Sequence, residues 1–277
     1  MTRMQQPLRI AVMGTDGRLN EVLVRNLSQW GYETTIWHTE HKAKGQADHA
    51  DLLLVDLDGM EQELLVQGYG PDEPEALARP TVRLTLALGS QPLRRMALEA
   101  LGAVLFLSKP FDMGVLREYL MMLGRVLAEE APQPQEPADP DRQIRVLVAD
   151  DDNRLTEWAC TVLSRSGRYI ARAAHDGIEV LEHCIGWEPD CLVMDMMMPR
   201  MNGYQVLRCL RARPKLTLLP IVVLSALAEV EVRAEELGQP LLTVLKKPLR
   251  SVDLLAGVER VLDMRLAEGS RGPLEVG

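Results

Sequence analysis

Five polar residues in the second half of this 277-residue chain each follow an apolar run: Asp150, Asp151, Asp195, Ser225 and Lys247, the last before Pro248. Carboxylates, a hydroxyl and an amine are together the equipment for handling a phosphoryl group. Three carboxylates brought close repel one another unless a cation offsets them. Hard oxygen ligands from one or two carboxylates, completed by water, describe a Mg²⁺ site better than a zinc or thiolate site. The cation and the Lys247 ammonium would then neutralise phosphoryl oxygens, Ser225 would donate a hydrogen bond, and one carboxylate would act as nucleophile. Asp195, alone at the end of its run, is the expected acceptor.

The runs themselves are strand-like: Arg145 to Ala149, Cys191 to Met194, Ile221 to Leu224 and Leu242 to Lys246. They alternate with helical patterns, which points to parallel strands joined by crossover helices. In such a sheet the strand C-termini define the crevice where ligands bind, so the five residues would converge at one edge. Leu155, Trp158, Ala159, Val162 and Leu163 predict one apolar helical stripe, with Asp152 and Asn153 as its N-terminal cap region and Gly167 beyond its end. Further helices are expected over Gly177 to Cys184, Tyr204 to Arg211, Leu227 to Leu237 and Val252 to Leu262, the last capped by Ser251. The run of Met196, Met197 and Met198 reads as packing, since no Cys or His accompanies it. Arg208, Arg211, Arg213 and Lys215 read as a solvated helix face.

A weaker copy of the same order lies upstream. Ile10 to Met13 is followed by Gly14 and Thr15, Leu52 to Val55 by Asp56, Val82 to Leu84 by Thr85, and Val104 to Ser108 by Lys109 and Pro110. Helices are expected on Leu19, Val22, Leu23 and Leu27, and on Val115, Leu116, Tyr119, Leu120 and Leu123; residues 66 to 80, rich in Gly and Pro, are irregular. Spacings between corresponding residues agree closely enough to predict two copies of one fold. The first copy, however, has no acidic pair. Gly14 and Thr15 stand in its place, Asp16 aligns with Asp152, and Asp58 with Gly59 replaces the Met-Pro turn. Asp56, Thr85 and Lys109 are thus a degenerate first site, without the carboxylates that would hold a cation. Between the copies, residues 129 to 143 carry Pro132, Pro134, Pro137 and Pro140 among acidic residues, the composition of an extended spacer. The expected organisation is a degenerate domain at 1–128, a linker at 129–143, a complete domain at 144–264 and a polar tail at 265–277.

Net charge is -9 and the sequence pI is about 5.2. An acidic chain lacks the field that neutralises nucleic-acid phosphates, so direct DNA binding is not expected. The polar start and the lack of a run of about 20 apolar residues argue against a leader or membrane span and for a cytoplasmic protein. Cys160, Cys184, Cys191 and Cys209 have no ligand-like spacing and read as buried free thiols.

At the segments VLVADDD (146 to 152), DMMMPRMNG (195 to 203), VVLSA (222 to 226) and VLKKP (244 to 248), the sequence resembles the receiver domains of two-component response regulators. The resemblance covers nearly all of residues 144 to 264. It implies two flavodoxin-like (βα)5 domains in tandem, each a five-stranded parallel sheet with helices on both faces. It further implies that Asp195 is phosphorylated by a sensor histidine kinase or histidine phosphotransfer protein. Asp151, Asp195 and the Met197 backbone carbonyl would bind Mg²⁺, Asp150 would assist through water, Ser225 and Lys247 would contact the phosphoryl group, and Ala226 would leave room for it. Phosphorylation in the family repacks the face of the fourth helix, fifth strand and fifth helix, passing the signal to a downstream protein partner. The usual aromatic three residues before the lysine is here Val244, whereas the first copy has Phe106. Met197 and Leu227 would flank an attacking water, which predicts slow dephosphorylation; a phosphoryl half-life of only seconds would contradict that.

The expected protein is a response regulator without a DNA-binding or enzymatic output domain, its first half serving dimerisation or partner docking. It would catalyse at most its own phosphorylation and dephosphorylation. Three other classes compete with this reading: a phosphorylation-independent scaffold, a phosphohydrolase of the haloacid dehalogenase type suggested by Asp150 and Asp152, and a flavin-binding protein. The hydrolase needs a further acidic motif beyond Lys247, where only isolated Asp253 and Glu259 occur, and no phosphate-binding Ser/Thr-Gly loop follows either first strand.

Overall fold

A computed structural model of the chain describes residues 7–37, 50–58, 82–90, 103–128, 142–226 and 241–269. The chain divides into two compact units, Met1–Ala128 and Glu129–Gly277. In the first, the described elements run β1 (Arg9–Met13), α1 (Gly17–Gln29), β2 (Glu33–Ile36), β3 (Ala50–Asp56), β4 (Val82–Gly89), β5 (Ala103–Ser108) and α2 (Met113–Leu127). In the second they run β6 (Ile144–Ala149), α3 (Asn153–Arg165), β7 (Tyr169–Ala174), α4 (Gly177–Gly186), β8 (Cys191–Asp195), α5 (Gly203–Arg211), a 3₁₀ turn (Pro214–Leu216), β9 (Ile221–Ser225), β10 (Leu242–Lys246) and α6 (Ser251–Gly269).

All strand pairs are parallel, in the orders β2-β1-β3-β4-β5 and β10-β9-β8-β6-β7. Read from the β7 edge, the second sheet has the same order as the first, the flavodoxin-like arrangement with its switch point beside the first strand. Central strands are apolar runs because a doubly covered sheet buries both faces; every residue of β8 and β9 is buried. In the second unit α3 packs with α6 and α4 packs with α5. One face of that sheet, Val146, Val148, Cys191, Val193, Val222 and Leu224, meets Ala159 and Leu163 of α3 and Leu254, Val258 and Val261 of α6.

Helix starts follow local chemistry. Asp16, Asp112, Asp152 and Asp176 each accept backbone N–H bonds as N-caps, and Asn202 forms a capping box with Gln205. The α3 stripe includes Thr156 as a buried member, while Leu155, Trp158 and Val162 are half-buried against the core. On α1, Asn20 is buried and Val22 is exposed, the reverse of the apolar reading. The final helix starts at Ser251 itself and continues to Gly269, so the opening of the segment read as a polar tail is helical. The helix expected at Leu227 to Leu237, the irregular stretch 66 to 80 and nearly all of the proposed linker lie outside the described residues. The cysteines are free, three buried and Cys160 half-buried. Burial pushes the Cys184 and Cys209 thiols up to about 12 and Cys191 higher still, so these side chains pack as small apolar groups. Among the described residues no helix is long and apolar enough to cross a membrane.

Candidate functional site

The site in the second unit is built where strands stop. The β6 ladder ends at Ala149, and Asp150 N–H then donates to the Ala174 carbonyl at 3.1 Å, fixing the turn that carries the acidic pair. Strand β8 ends on Asp195 and β9 on Ser225, and Lys247 N–H donates to the Ser225 carbonyl at 2.8 Å. Carboxylate oxygens of Asp150, Asp151 and Asp195 lie within 4.8 Å of one another. Asp150 and Asp195 are buried and Asp151 is exposed. Lys247 Nζ donates to Asp150 Oδ2 at 2.7 Å and to Asp195 Oδ2 at 2.9 Å. Asp152 N–H donates to Asp150 Oδ1 at 3.0 Å, and Met197 N–H to Asp195 Oδ1 at 3.3 Å.

Burial disfavours the Lys247 ammonium, but hydrogen bonds and charge from Asp150 and Asp195 outweigh it and hold its pKa above the ordinary lysine value. Three carboxylates cluster here, and the Lys247 ammonium bonds two of them. That excess of negative charge on oxygen-only donors suits a hard divalent cation. Ser225 is buried, whereas Ala226 and Met197 are exposed, Met197 by 61%. The other methionines of this loop, Met196, Met198 and Met201, are buried packing residues. Leu227 lies outside the described residues.

The loop after Asp195 is bolted to the start of α4 by residues that motif spacing did not single out. Arg200 takes a left-handed conformation, φ 58, and its Nε donates to Asp176 Oδ2 at 2.8 Å. Asp176 is buried, and its Oδ1 caps α4 by accepting from Ile178 and Glu179 N–H. Gly177 N–H donates to the Met201 carbonyl, and a Cβ at Gly177 would stand 2.5 Å from that oxygen. Gly203 is equally constrained, since its Cβ would fall 2.9 Å from Met196 Cα. The signal was an Asp-Gly pair opening a helix.

In the first unit the structure corrects one expected site residue. Asp56 pairs with Leu88 as Asp195 pairs with Leu224, and Lys109 N–H donates to the Gly89 carbonyl as Lys247 does to Ser225. Gly89 therefore occupies the place of Ser225, and Ser90 that of Ala226. Thr85 lies four residues back, buried inside β4, where it pairs with Leu53 and Ala103. Its strand runs on to Gly89, with a register shift against β5 at Thr85/Leu86. Threonine is at home inside a strand, and this one marks no strand end.

Asp56 and Lys109 do meet. Lys109 Nζ lies 2.5 Å from Asp56 Oδ1 and 3.0 Å from Asp58 Oδ2. Burial disfavours the Lys109 ammonium, but its hydrogen bonds to these carboxylates and their charge outweigh that and raise its pKa. Ser90 donates to Asp58 twice, from its backbone N–H at 2.8 Å and from Oγ at 2.6 Å. Those bonds hold the Asp58 carboxyl down at about 2. Thr15 Oγ1 donates to the Asp58 carbonyl at 2.9 Å, and Asn20 Nδ2 to the Gly14 carbonyl at 2.9 Å. A Cβ at Gly14 would stand 2.7 Å from Asp56 Cβ, so a side chain there, where the second unit has Asp150, would force a shift. Asp56 is buried, and its Oδ2 has no hydrogen-bond partner among the described residues.

Comparison with known proteins adds to this geometry. Residues 146–259 match the family described as the response regulator receiver domain. The chain is similar to "Response regulator MprA" of Mycobacterium ulcerans (strain Agy99), 40% identical over 119 residues, which is 43% of this chain and 50% of that protein. It thus spans about half the length of the curated relatives it matches. Among solved structures, the Francisella response regulator 1452 receiver domain is 29% identical with a TM-score of 0.40, over 44% of this chain and 98% of that one. The chemotaxis response regulator CheY4 of Vibrio cholerae is 24% identical with a TM-score of 0.40, over 43% and 99%.

Proposed function

With residues 146–259 identified as a response regulator receiver domain, we propose that the protein accepts a phosphoryl group on Asp195 and passes the signal on through protein-protein contacts. The observation that carries this reading is the meeting of Asp150, Asp151 and Asp195 oxygens within 4.8 Å, with Lys247 Nζ against two of these residues. Asp151, Asp195 and the Met197 carbonyl, assisted by Asp150, would hold Mg²⁺, which when bound supplies positive charge against the phosphoryl oxygens. An Asp195 carboxylate oxygen forms the new bond to phosphorus as the bond to the leaving group breaks. That leaving group is a histidine nitrogen of a sensor kinase or phosphotransfer protein. Lys247, already against Asp195, offsets charge at the acceptor, the Ser225 hydroxyl donates to a phosphoryl oxygen, and Ala226 presents only a methyl group.

On this reading residues 144–264 are the phosphorylated receiver, residues 1–128 a degenerate receiver for docking or dimerisation, and residues 129–143 the tether. Output by protein contact agrees with a net charge of -9, which offers no attraction to nucleic-acid phosphates. The test is intact mass after incubation with Mg²⁺ and a small acyl phosphate. A stable adduct is expected in the parent protein and in Asp56→Asn, and none in Asp195→Asn. No adduct in the parent would favour a scaffold that works without phosphorylation, and multiple-turnover phosphate release would favour a hydrolase.

A further inference from the structure

The donors around Asp58 form a complete anion cradle. Lys109 Nζ, Ser90 N–H and Ser90 Oγ reach its carboxylate at 3.0, 2.8 and 2.6 Å. An ammonium, a backbone N–H and a hydroxyl converging on one group is the donor set that charge-assisted recognition of a carboxylate or phosphate uses. Lys109 and the Ser90 backbone hold the places of Lys247 and the Ala226 backbone in the second unit, while the Ser90 hydroxyl stands one residue beyond the place of Ser225. Asp58 stands two residues past Asp56, where the second unit has Met197, an exposed side chain that makes no such bonds. Its backbone is held too, by N–H donation to Asp56 Oδ1 at 3.1 Å and by Thr15 Oγ1.

We propose that the Asp58 carboxylate is a built-in anion that fills the phosphoryl cradle of the first unit and holds that unit permanently in an anion-ligated state. The inference rests on reading the first unit as a receiver that lacks its acidic pair. Asp58 does covalently, from the loop, what a transferred phosphoryl group would do from Asp56. The cradle then has no capacity for a second anion, and docking by this unit is independent of acyl phosphate and of divalent cations.

The test uses the full chain carrying Asp195→Asn, which silences the second site, and follows the Ser90 amide by NMR and hydrogen exchange. In that protein inorganic phosphate and formate are expected to leave the Ser90 resonance unmoved. With Asp58→Gly added, exchange at Ser90 rises about ten-fold, and formate shifts the resonance saturably and restores protection. Exchange unchanged by Asp58→Gly, a Ser90 resonance that already answers to phosphate before that change, or acyl phosphate adding mass at Asp56 would each overturn the proposal. Should Asp58→Gly unfold the first unit, Asp58→Asn keeps the volume and removes the charge. Exchange at Ser90 should still rise about three-fold, and exchange equal to the parent's would overturn the idea. Labelling of Asp195 in the parent chain is read separately, so failure of the receiver reading and failure of this one are distinguishable.

Discussion

Lys247 and Lys109 hold corresponding places after the last strand of each sheet, and what faces each ammonium sets the chemistry open to it. Lys247 bridges Asp150 and Asp195, so its charge is shared between strands and stands beside the expected acceptor. Replacing it with alanine removes the ammonium bonded to Asp150 and Asp195. Phosphorylation of Asp195 by acyl phosphate should slow about 100-fold, read as the initial rate of adduct formation by mass; a rate equal to the parent's would remove Lys247 from the reaction. Lys109 instead bridges Asp56 to Asp58, which Ser90 also binds. The Asp58 carboxyl is held at about 2, below the unfolded carboxylate range. Its interactions with Ser90 and Lys109 therefore contribute fully above the unfolded pKa of about 3.9 and fade as pH falls toward about 2. The Ser90 amide shift should stay flat on acidification and move with a midpoint near 2; a midpoint near 4 would show that the bonds do not form in solution.

At the scale of elements, the loop after Asp195 is tied to the start of α4. Arg200 reaches across to Asp176, which simultaneously caps α4, and Gly177 N–H meets the Met201 carbonyl. A Cβ at Gly177 would fall 2.6 Å from Val206 Cγ2 as well as 2.5 Å from Met201 O, so the substitution presses on both α5 and the loop. Gly177→Ala should cost about 1–3 kcal/mol of stability, measured by urea denaturation of the second unit. A cost within error of zero would mean that the loop yields freely. The sequence signal for this junction was local and modest, a DG pair before a helix, because the residues it joins are over twenty positions apart and nothing in a linear pattern says that they touch.

At the scale of the whole molecule, two sheets of one strand order carry two sites of different completeness. Gly14→Ala puts a methyl group 2.7 Å from Asp56 Cβ and should destabilise the first unit by about 1–3 kcal/mol. Labelling at Asp195 should remain within about two-fold of the parent, since the chain divides into two compact units. A parallel loss of labelling would show that the units fold as one. The meeting of Asp150, Asp151, Asp195 and Lys247 was legible in the residues alone. Each closes or follows a short apolar run, and in a parallel sheet such runs end at one edge, so type and order suffice. The first site was legible only in part. Asp56 and Lys109 came from the same rule, but Thr85 did not hold, because β4 is eight residues long and an apolar-polar alternation does not say where a strand stops. Folding alone set Gly89 at the strand end and turned Ser90 and Lys109 onto Asp58. Those contacts join residues far apart in the chain, and the donors that meet are chosen by sheet register, which depends on the packing of every strand beside them.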